Sequence, residues 1–408
     1  MAIFRNRKNS GEGSLTQLAL RRLLKDKFAM VSTDLVVLAV VVAILGYLIT
    51  PDQTPFANEQ ILEISCLKPG TSVKILYLNR VQEYAKVWWL ERMIWGEKNN
   101  YHAVPIVSYR FEDEFIVVKA FTGHDLKDGP ELKYSLTDVR YGIPTMDVNS
   151  HNKSQINPKD SKYNLLSNKV KQLQQEVEQH NLVVRHYWFG TDRFGRDVLS
   201  QLMIGTRVSL SVGFISVTIS LIIGILLGSI AGFFGGRTDA LITWLINVVW
   251  SIPTLLLVIA ITFALGKGFW QIFIAVGLTM WVEVARVVRG QILSIREKEY
   301  VEAGKALGFR SPRIIFRHIL PNTLAPVIVI SAANFASAIL IEAGLGFLGI
   351  GVQPPMPSWG TMIKDNYGYI ILNSAYLAIL PGLAIMIMVL AFMLIGNGLR
   401  DALDVKAS

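Results

Sequence analysis

The chain has 408 residues, of which 51% are apolar and only 17% charged, and its mean hydropathy is +0.39. Soluble chains carry about 25% charged residues, so an ordinary soluble globule is excluded. The apolar excess and the single cysteine, Cys66, likewise exclude a disordered chain and a disulfide scaffold. A net charge of +9 fits either nucleic acid or the basic loops of a membrane protein, and where the charge sits decides between them.

A helix of roughly 20 apolar residues crosses a bilayer, and six stretches qualify. They are residues 28–49, 208–236, 240–266, 268–282, 319–341 and the middle of the uncharged run 366–399. No alternating strand pattern accompanies them, so they are read as helices whose amides bond internally. Seven Lys/Arg precede the first span, and eight (Arg286, Arg289, Arg296, Lys298, Lys305, Arg310, Arg313 and Arg317) lie between the fourth and fifth. Arg237, Arg400 and Lys406 fall on the same side, while the opposite short loops hold only Lys267 and Lys364. Both termini are therefore expected in the cytoplasm. The first span is expected to stay attached, because Thr50-Pro51 offers no small-residue cleavage site.

Residues 51–188 then lie outside the cytoplasm. They contain 17 Lys+Arg and 17 Asp+Glu, so the basic excess is not there and the nucleic-acid reading falls. This stretch is long enough for a domain with its own core. Residues 72–78 and 111–121 read as strands, and 83–95 as a helix with an apolar face. Leu166, Val170, Leu173 and Val177 mark a second, amphipathic helix, after a polar linker at 150–161. Trp88, Trp89 and Trp95 are expected in the core, the alternatives being a peptide-binding surface or a seat at the membrane interface. His102, His124, His151 and His180 have no metal-ligand spacing, and Cys66 is expected to be buried.

The loop between spans four and five carries the most specific signal. Residues 296–307 read as a short helix stopped by Gly308, after which Ser311 caps a second helix with Pro312 at its first position. Tyr300, Ala303, Gly304 and Leu307 share one face, where small residues permit close approach by a partner. An amphipathic helix resting on anionic lipid explains the charge but not this glycine pattern.

This loop resembles the EAA loop of binding-protein-dependent ABC importer permeases, with Glu302, Ala303, Gly308, Leu320 and Pro321 at matching positions. Gly304 replaces the second alanine, and His318 stands where the broad pattern has isoleucine. FGTDRFGRD (189–197), IEAGLGFLGIG (341–351) and GVQPPMPSWG (351–360) are similar to the C-type subunit of the dipeptide, oligopeptide and nickel subfamily. WSIP (250–253) fits as well, although Asn247 stands where many relatives carry aspartate. The resemblance covers about residues 189–404 and, more loosely, the first span.

The resemblance implies an all-α polytopic membrane protein with six transmembrane helices, like a type I ABC importer permease, carrying an extracytoplasmic α+β insertion. Its parts would be a cytoplasmic tail (1–27), a first span (28–50), the insertion (51–188), a five-span core (189–400) with its coupling loop at 290–320, and a tail (401–408). The function implied is ATP-driven import of peptides or similar small solutes across a bacterial inner membrane. Implied partners are two ATP-binding subunits, a second permease in a heterodimer, an extracytoplasmic binding protein and the lipid bilayer, with no nucleic acid. No Gly-x4-Gly-Lys-[Ser/Thr] loop occurs, so ATP and magnesium belong on partners and this chain itself binds no cofactor or metal. It also carries no Ser/His/Asp or HExxH arrangement, so no catalysis is assigned to it.

Glu302, Ala303, Gly304 and Gly308, with Leu320 and Pro321, are the expected ATPase contact, and Arg310 and Arg313 are weaker candidates. Gly224, Gly228, Gly232 and Gly236 form a four-residue stripe for helix packing, favoured within the chain. Glu342 is a candidate for the mouth of the pathway or for pairing across helices, whereas Glu283 has Arg286 one turn away. Asp192–Arg196 and Arg193–Asp197 are candidate i,i+4 pairs, with Thr191 as an N-cap. A secondary transporter needs carboxylates at mid-span, and neither Glu283 nor Glu342 sits there. A plain membrane anchor would leave the inner helix and the six spans unexplained.

Overall fold

Asp26 opens the first long helix, α1 (Lys27–Ile49), by accepting hydrogen bonds from the amides of Phe28 and Ala29. The computed structural model describes residues 20–80, 84–123, 129–142, 161–266 and 268–403. Beyond α1 the chain enters a five-stranded antiparallel sheet: β1 (Thr71–Asn79), β2 (Tyr101–Glu112), β3 (Phe115–Ala120), β4 (Glu131–Ser135) and β5 (Leu182–Tyr187), in the order β4-β3-β2-β1-β5. Three helices accompany it: α2 (Trp89–Trp95), α3 (Leu136–Tyr141) and α4 (Ser161–His180).

Alternation along the strands gives the sheet two apolar faces. Val73, Ile75, Ala103 and Tyr187 pack with Ile61, Ile64 and Leu67 on one side. On the other, Leu76, Ile106, Ile116 and Val118 pack with Leu136, Val139 and Val177 from α3 and α4. Residues 111–121 are a hairpin rather than one strand, because Asp113 takes a positive φ of 49° between β2 and β3. The first expected helix is confined to Trp89–Trp95; residues 84–88 are not helical and 81–83 lie outside the described residues. Of the linker expected at 150–161, residues 150–160 lie outside them and Ser161 opens α4; His124 and His151 also lie outside them. Trp88, Trp89 and Trp95 are 65%, 55% and 64% exposed, so they are not core residues. Cys66 is half-buried.

The remaining chain is helical: α5 (Val198–Phe234), α6 (Gly236–Trp250), α7 (Thr254–Leu265), α8 (Phe269–Ile295), α9 (Glu299–Ala306), α10 (Ser311–Ile314), α11 (Leu320–Phe347), α12 (Trp359–Asn366) and α13 (Tyr376–Leu403). Five helices among the described residues are long and apolar enough to span a membrane, and α6 with α7 makes a sixth if that pair, bent by 92°, counts as one span. The sequence had suggested a continuous span at 240–266. Pro253 disfavours helical geometry at the preceding residue, and the ladder breaks at 251–253. The span expected to end at 282 instead runs to Ile295. Its two arginines are satisfied laterally: Arg289 donates to Asp239 of α6 at 2.5 and 2.7 Å, and the Arg286 guanidinium lies 3.9 Å from the Trp250 ring centroid. Thus Arg286 engages an aromatic face rather than neutralising Glu283.

The glycine stripe brings α5 against α8. A Cβ built on Gly224 would fall 2.5 Å from Val284 Cβ, one on Gly228 2.6 Å from the Ala285 oxygen, and one on Gly232 2.9 Å from Ile292 Cβ. Gly277 answers from α8, where a Cβ would meet Ile219 at 2.7 Å. Such backbone proximity is what small residues permit in lipid, where dispersion rather than hydrophobicity holds helices together. Gly236 has no atom of the described residues within 4 Å of its Cβ position and takes no part in this contact.

Candidate functional site

The loop after α8 is held from within the chain. Val301 and Gly304, one turn apart on α9, are buried, and Val301 joins Val284, Val288, Ile292 and Ile314 in one apolar cluster. Glu302, Ala303, Lys305, Ala306 and Leu307 are exposed. Gly304 therefore faces inward, unlike the partner-facing position expected of it, and a Cβ there would meet Phe309 at 3.5 Å and Ile314 at 3.9 Å. The outward surface consists of Glu302, Ala303 and Leu307, with half-exposed Tyr300. The Glu302 carboxylate has no hydrogen bond or ion pair among the described residues.

Helix α9 ends in a Schellman motif. The Phe309 amide donates to the Gly304 carbonyl at 3.0 Å, and Gly308, at φ +75°, donates to Lys305 at 2.9 Å. Phe309 then lies between Arg313, 4.4 Å from its ring centroid, and His318, stacked at 6.0 Å. The expected second helix starts one residue earlier than read. Arg310 occupies the N-cap, Ser311 makes no capping bond and Pro312 is inside the first turn. Pro321 has no N–H to offer Arg317. Just before it the ladder widens to a π-turn over Ile315–Ile319, where the Leu320 amide reaches Ile315. Leu320 is half-buried and Pro321 exposed, so these two shape the helix entry beside α9.

The two glycine-rich motifs near the other end fold onto each other. A Cβ on Gly360 would sit 2.4 Å from the Ala343 oxygen, and one on Gly351 2.5 Å from Gly346 Cα. Trp359 Nε1 donates to the Leu202 carbonyl at 3.1 Å, tying this knot to α5. Glu342 is fully buried there: Ser209 donates to Oε2 at 3.2 Å, while Oε1 has no hydrogen-bond partner among the described residues. The contact Glu342 makes across helices is this hydrogen bond from α5, and it has no ion pair among the described residues. Asn334, two turns earlier on α11, is also fully buried, and neither of its side-chain polar atoms has a partner among the described residues. Sequence reasoning passed over it, although an amide in an apolar span is itself a signal.

Residues 189–197 join the sheet domain to α5. Asp192 accepts from the Phe194 and Arg196 amides at 2.9 Å and pairs with the Arg196 side chain at 2.6 Å. Arg193 instead reaches Asp365, at 3.6 Å. The cap of α5 is Asp197, not Thr191: it accepts from the Ser200 amide at 2.8 Å. Burial pushes the Asp197 carboxyl up, against the pull of the Ser200 bonds. Thr191 bridges the Ile64 carbonyl and the Leu67 amide. A Cβ on Gly195 would meet the Ile61 oxygen at 1.7 Å, so only glycine fits that close approach.

Two cavities accompany these elements. One of about 300 Å³ lies in the crook of α6 and α7, lined by Trp250, Thr254, Thr279, Glu283 and Ser337. Another, of about 400 Å³, opens on the sheet domain beside Glu59, Arg80, Tyr84, Lys98 and Tyr101.

With this geometry in hand, residues 224–408 match the family described as binding-protein-dependent transport system inner membrane component. Residues 14–67 match the N-terminal TM domain of oligopeptide transport permease C. The dipeptide transport system permease protein DppC of Alkalihalophilus pseudofirmus is 46% identical over 220 residues, covering 54% of this chain and 72% of the relative. The chain belongs to the binding-protein-dependent transport permease family. The oligopeptide transport system permease protein OppC of Bacillus subtilis is 40% identical over 222 residues, 54% of this chain and 72% of its own. Among solved structures, the MetNI methionine ABC transporter in inward facing conformations aligns with a TM-score of 0.42 and 19% identity, over 50% of this chain and 95% of that one. The protein is thus a non-catalytic membrane subunit of an ABC importer, working with separate ATPase and substrate-binding partners. The secondary-transporter alternative is set aside. The two family matches leave residues 68–223, most of the sheet domain included, between them.

Proposed function

We propose that this permease imports short peptides across the bacterial inner membrane as one half of a heterodimeric pore, with two ATPase subunits below it. Both termini and α9 lie in the cytoplasm, the sheet domain outside, and ATP with magnesium is held by the ATPases. The peptide assignment follows the two named relatives, and the orientation follows the Lys/Arg bias of the loops.

The observation that supports this reading best is the build of α9. Val301 and Gly304 seat it, the Schellman turn fixes its end, and an unpaired Glu302 with Ala303 and Leu307 faces out. A short helix with a fixed end, turning Ala303, Leu307 and the Glu302 carboxylate outward, is suited to a groove on a moving partner, where closure of the ATPases would rock α8 and α11 through it. The cavity at Glu283 is the proposed stretch of the pathway, with Trp250 and Ser337 at its wall.

The test is uptake of labelled dipeptide by cells carrying Glu302→Lys, alongside affinity purification of the complex. We expect uptake to be lost and the ATPases to be depleted from the purified complex, with normal amounts of chain in the membrane. Normal uptake with Glu302→Lys would remove the coupling assignment.

A further inference from the structure

Helix α2 belongs to the sheet domain by sequence, but its last turn is tied to membrane-spanning helices. Arg207 of α5 makes the tie. Its Nη1 donates to the Ile94 carbonyl at 2.7 Å and its Nη2 to the Met93 carbonyl at 2.9 Å. Through Nε and Nη2 the same guanidinium donates to the Ala43 and Ile44 carbonyls of α1, at 2.7 and 3.2 Å. The end of α2 therefore stands level with residues 43–44. These lie five to six residues inside the C-terminal end of α1 at Ile49, which at 1.5 Å per residue is about 8 Å into the apolar span. Arg207 itself is the last charge before the uncharged run 208–236. It meets the terminal carbonyls that a seven-residue helix leaves open, at a depth that matches the headgroup–acyl boundary.

What α2 turns outward suits that depth. Trp88, Trp89, Ile94 and Trp95 are all exposed. Tryptophan concentrates at the level of lipid headgroups, its ring in the acyl boundary and its N–H in the polar layer. Glu91 is exposed on the same helix, which fits a helix lying at headgroup level and not one sunk into hydrocarbon. Beneath α2, a cavity of about 730 Å³ opens between α1, α5 and α11, lined by Val40, Ile44, Met93, Ile94, Phe214 and Phe335. It continues the apolar surfaces of the spanning helices, with Met93 and Ile94 as its roof.

We propose that α2 is an interfacial anchor. It seats the sheet domain in the near leaflet of the bilayer through Trp88, Trp89 and Trp95, and a phospholipid acyl chain fills the groove beneath it. Arg207 is the positioning residue that holds the anchor at this depth. The proposed partner is lipid and not a second permease, because the groove walls continue into an outward apolar face of α1, where Val37, Leu38 and Val41 are exposed, as on a helix that meets acyl chains. The inference rests on the membrane assignment alone, so failure of the peptide or coupling reading leaves it standing.

The test is spin-label depth measurement on the full chain in phospholipid nanodiscs, in a Cys66→Ser background. Labels replace Trp88→Cys, Trp89→Cys and Trp95→Cys, with Leu38→Cys as the hydrocarbon reference and Val184→Cys on β5 as the aqueous one; both references are exposed. We expect the ratio of oxygen to nickel-chelate accessibility at α2 to exceed that at Val184 several-fold and to stay below that at Leu38, as a seat at the headgroup boundary requires. A ratio like that of Val184 would place α2 in water, and protection from both reagents would mean protein covers it; either result overturns the proposal. If a tryptophan variant fails to fold, labels at Glu91→Cys and Ile94→Cys report on the same helix. An Arg207→Gln variant is expected to shift the α2 labels toward the aqueous value while leaving Leu38→Cys unchanged.

Discussion

Adding a single methyl group at Gly228 should loosen the central helix contact. A Cβ there would lie 2.6 Å from the Ala285 oxygen, 2.9 Å from Val288 Cβ and 3.1 Å from Ala285 Cα, with ordinary contact starting only at 3.4 Å. Two of those three atoms are backbone and the third is β-branched, so none can rotate away. α5 and α8 must instead part by about 0.5–1 Å, a gap that forfeits a quarter to a half of each dispersion contact. Overpacking typically costs about 1–3 kcal/mol, and rigid neighbours put this site near the upper end. Gly→Ala in a helix returns about 1 kcal/mol, leaving Gly228→Ala destabilised by about 2 kcal/mol.

Gly290→Ala is the control, since it sits in α8 with no atom of the described residues within 4 Å of its Cβ position and takes only the propensity gain. The two variants should thus differ by about 3 kcal/mol, which at about 2–4 °C per kcal/mol separates their melting points by about 6–12 °C. The assay is thermal unfolding in detergent, followed by size-exclusion chromatography with fluorescence detection of the surviving chain. A Gly228→Ala protein that melts with the wild type, or a Gly290→Ala protein that falls as far, would refute the close-packing account.

Gly304→Ala, by contrast, should be tolerated. Its new methyl meets Phe309 and Ile314 at ordinary contact distance, so we expect a gain of up to about 1 kcal/mol and uptake no lower than wild type. Gly308→Ala forces a side chain into φ +75° and should cost about 1 kcal/mol; hydrogen exchange at the Phe309 amide would reveal the frayed turn. In the sheet domain, Arg185 pairs with Glu59 and also donates to Tyr77 and Tyr101 at 2.6 and 2.8 Å. Arg185→Leu leaves a largely buried carboxylate without its cation, so the domain should lose about 3 kcal/mol. Faster limited proteolysis within β1–β5, with helix proteolysis unchanged, is the expected result. Glu283→Gln should lower uptake of cationic dipeptides more than of acidic ones, if the cavity at Trp250 lines the path; equal effects on both would place the pathway elsewhere.

Much of this architecture was legible because its signals are local. A twenty-residue apolar run needs no partner to be recognised, and the positive-φ stop at Gly308 is written in the residue itself. The glycine stripe also spoke directly, since period-four glycines have few uses in lipid other than close approach. Where reading failed, a distant partner decided the outcome. Apolar run length carries no phase, so the bend at 251–253 was hidden, although Pro253 was visible within it. Charges at Glu283, Arg286 and Arg289 looked like the end of a span. The helix continues because Asp239, fifty positions away, takes Arg289.

The same distinction explains α9 and α2. An eight-residue helix makes barely two turns, so its small residues could be assigned to either side. Only the seat formed by Val288, Ile292 and Ile314 turns Gly304 inward and leaves Glu302 out. For α2, the tryptophans gave composition without depth. Depth comes from Arg207, whose bonds reach across 113 positions to Ile94 and 164 to Ala43. In sequence, Arg207 was merely the boundary of an apolar run. A charge at such a boundary can face water, and then it marks only where the membrane ends. Here it faces backbone carbonyls from two other segments, and so it also sets the height at which a soluble-looking domain meets the bilayer.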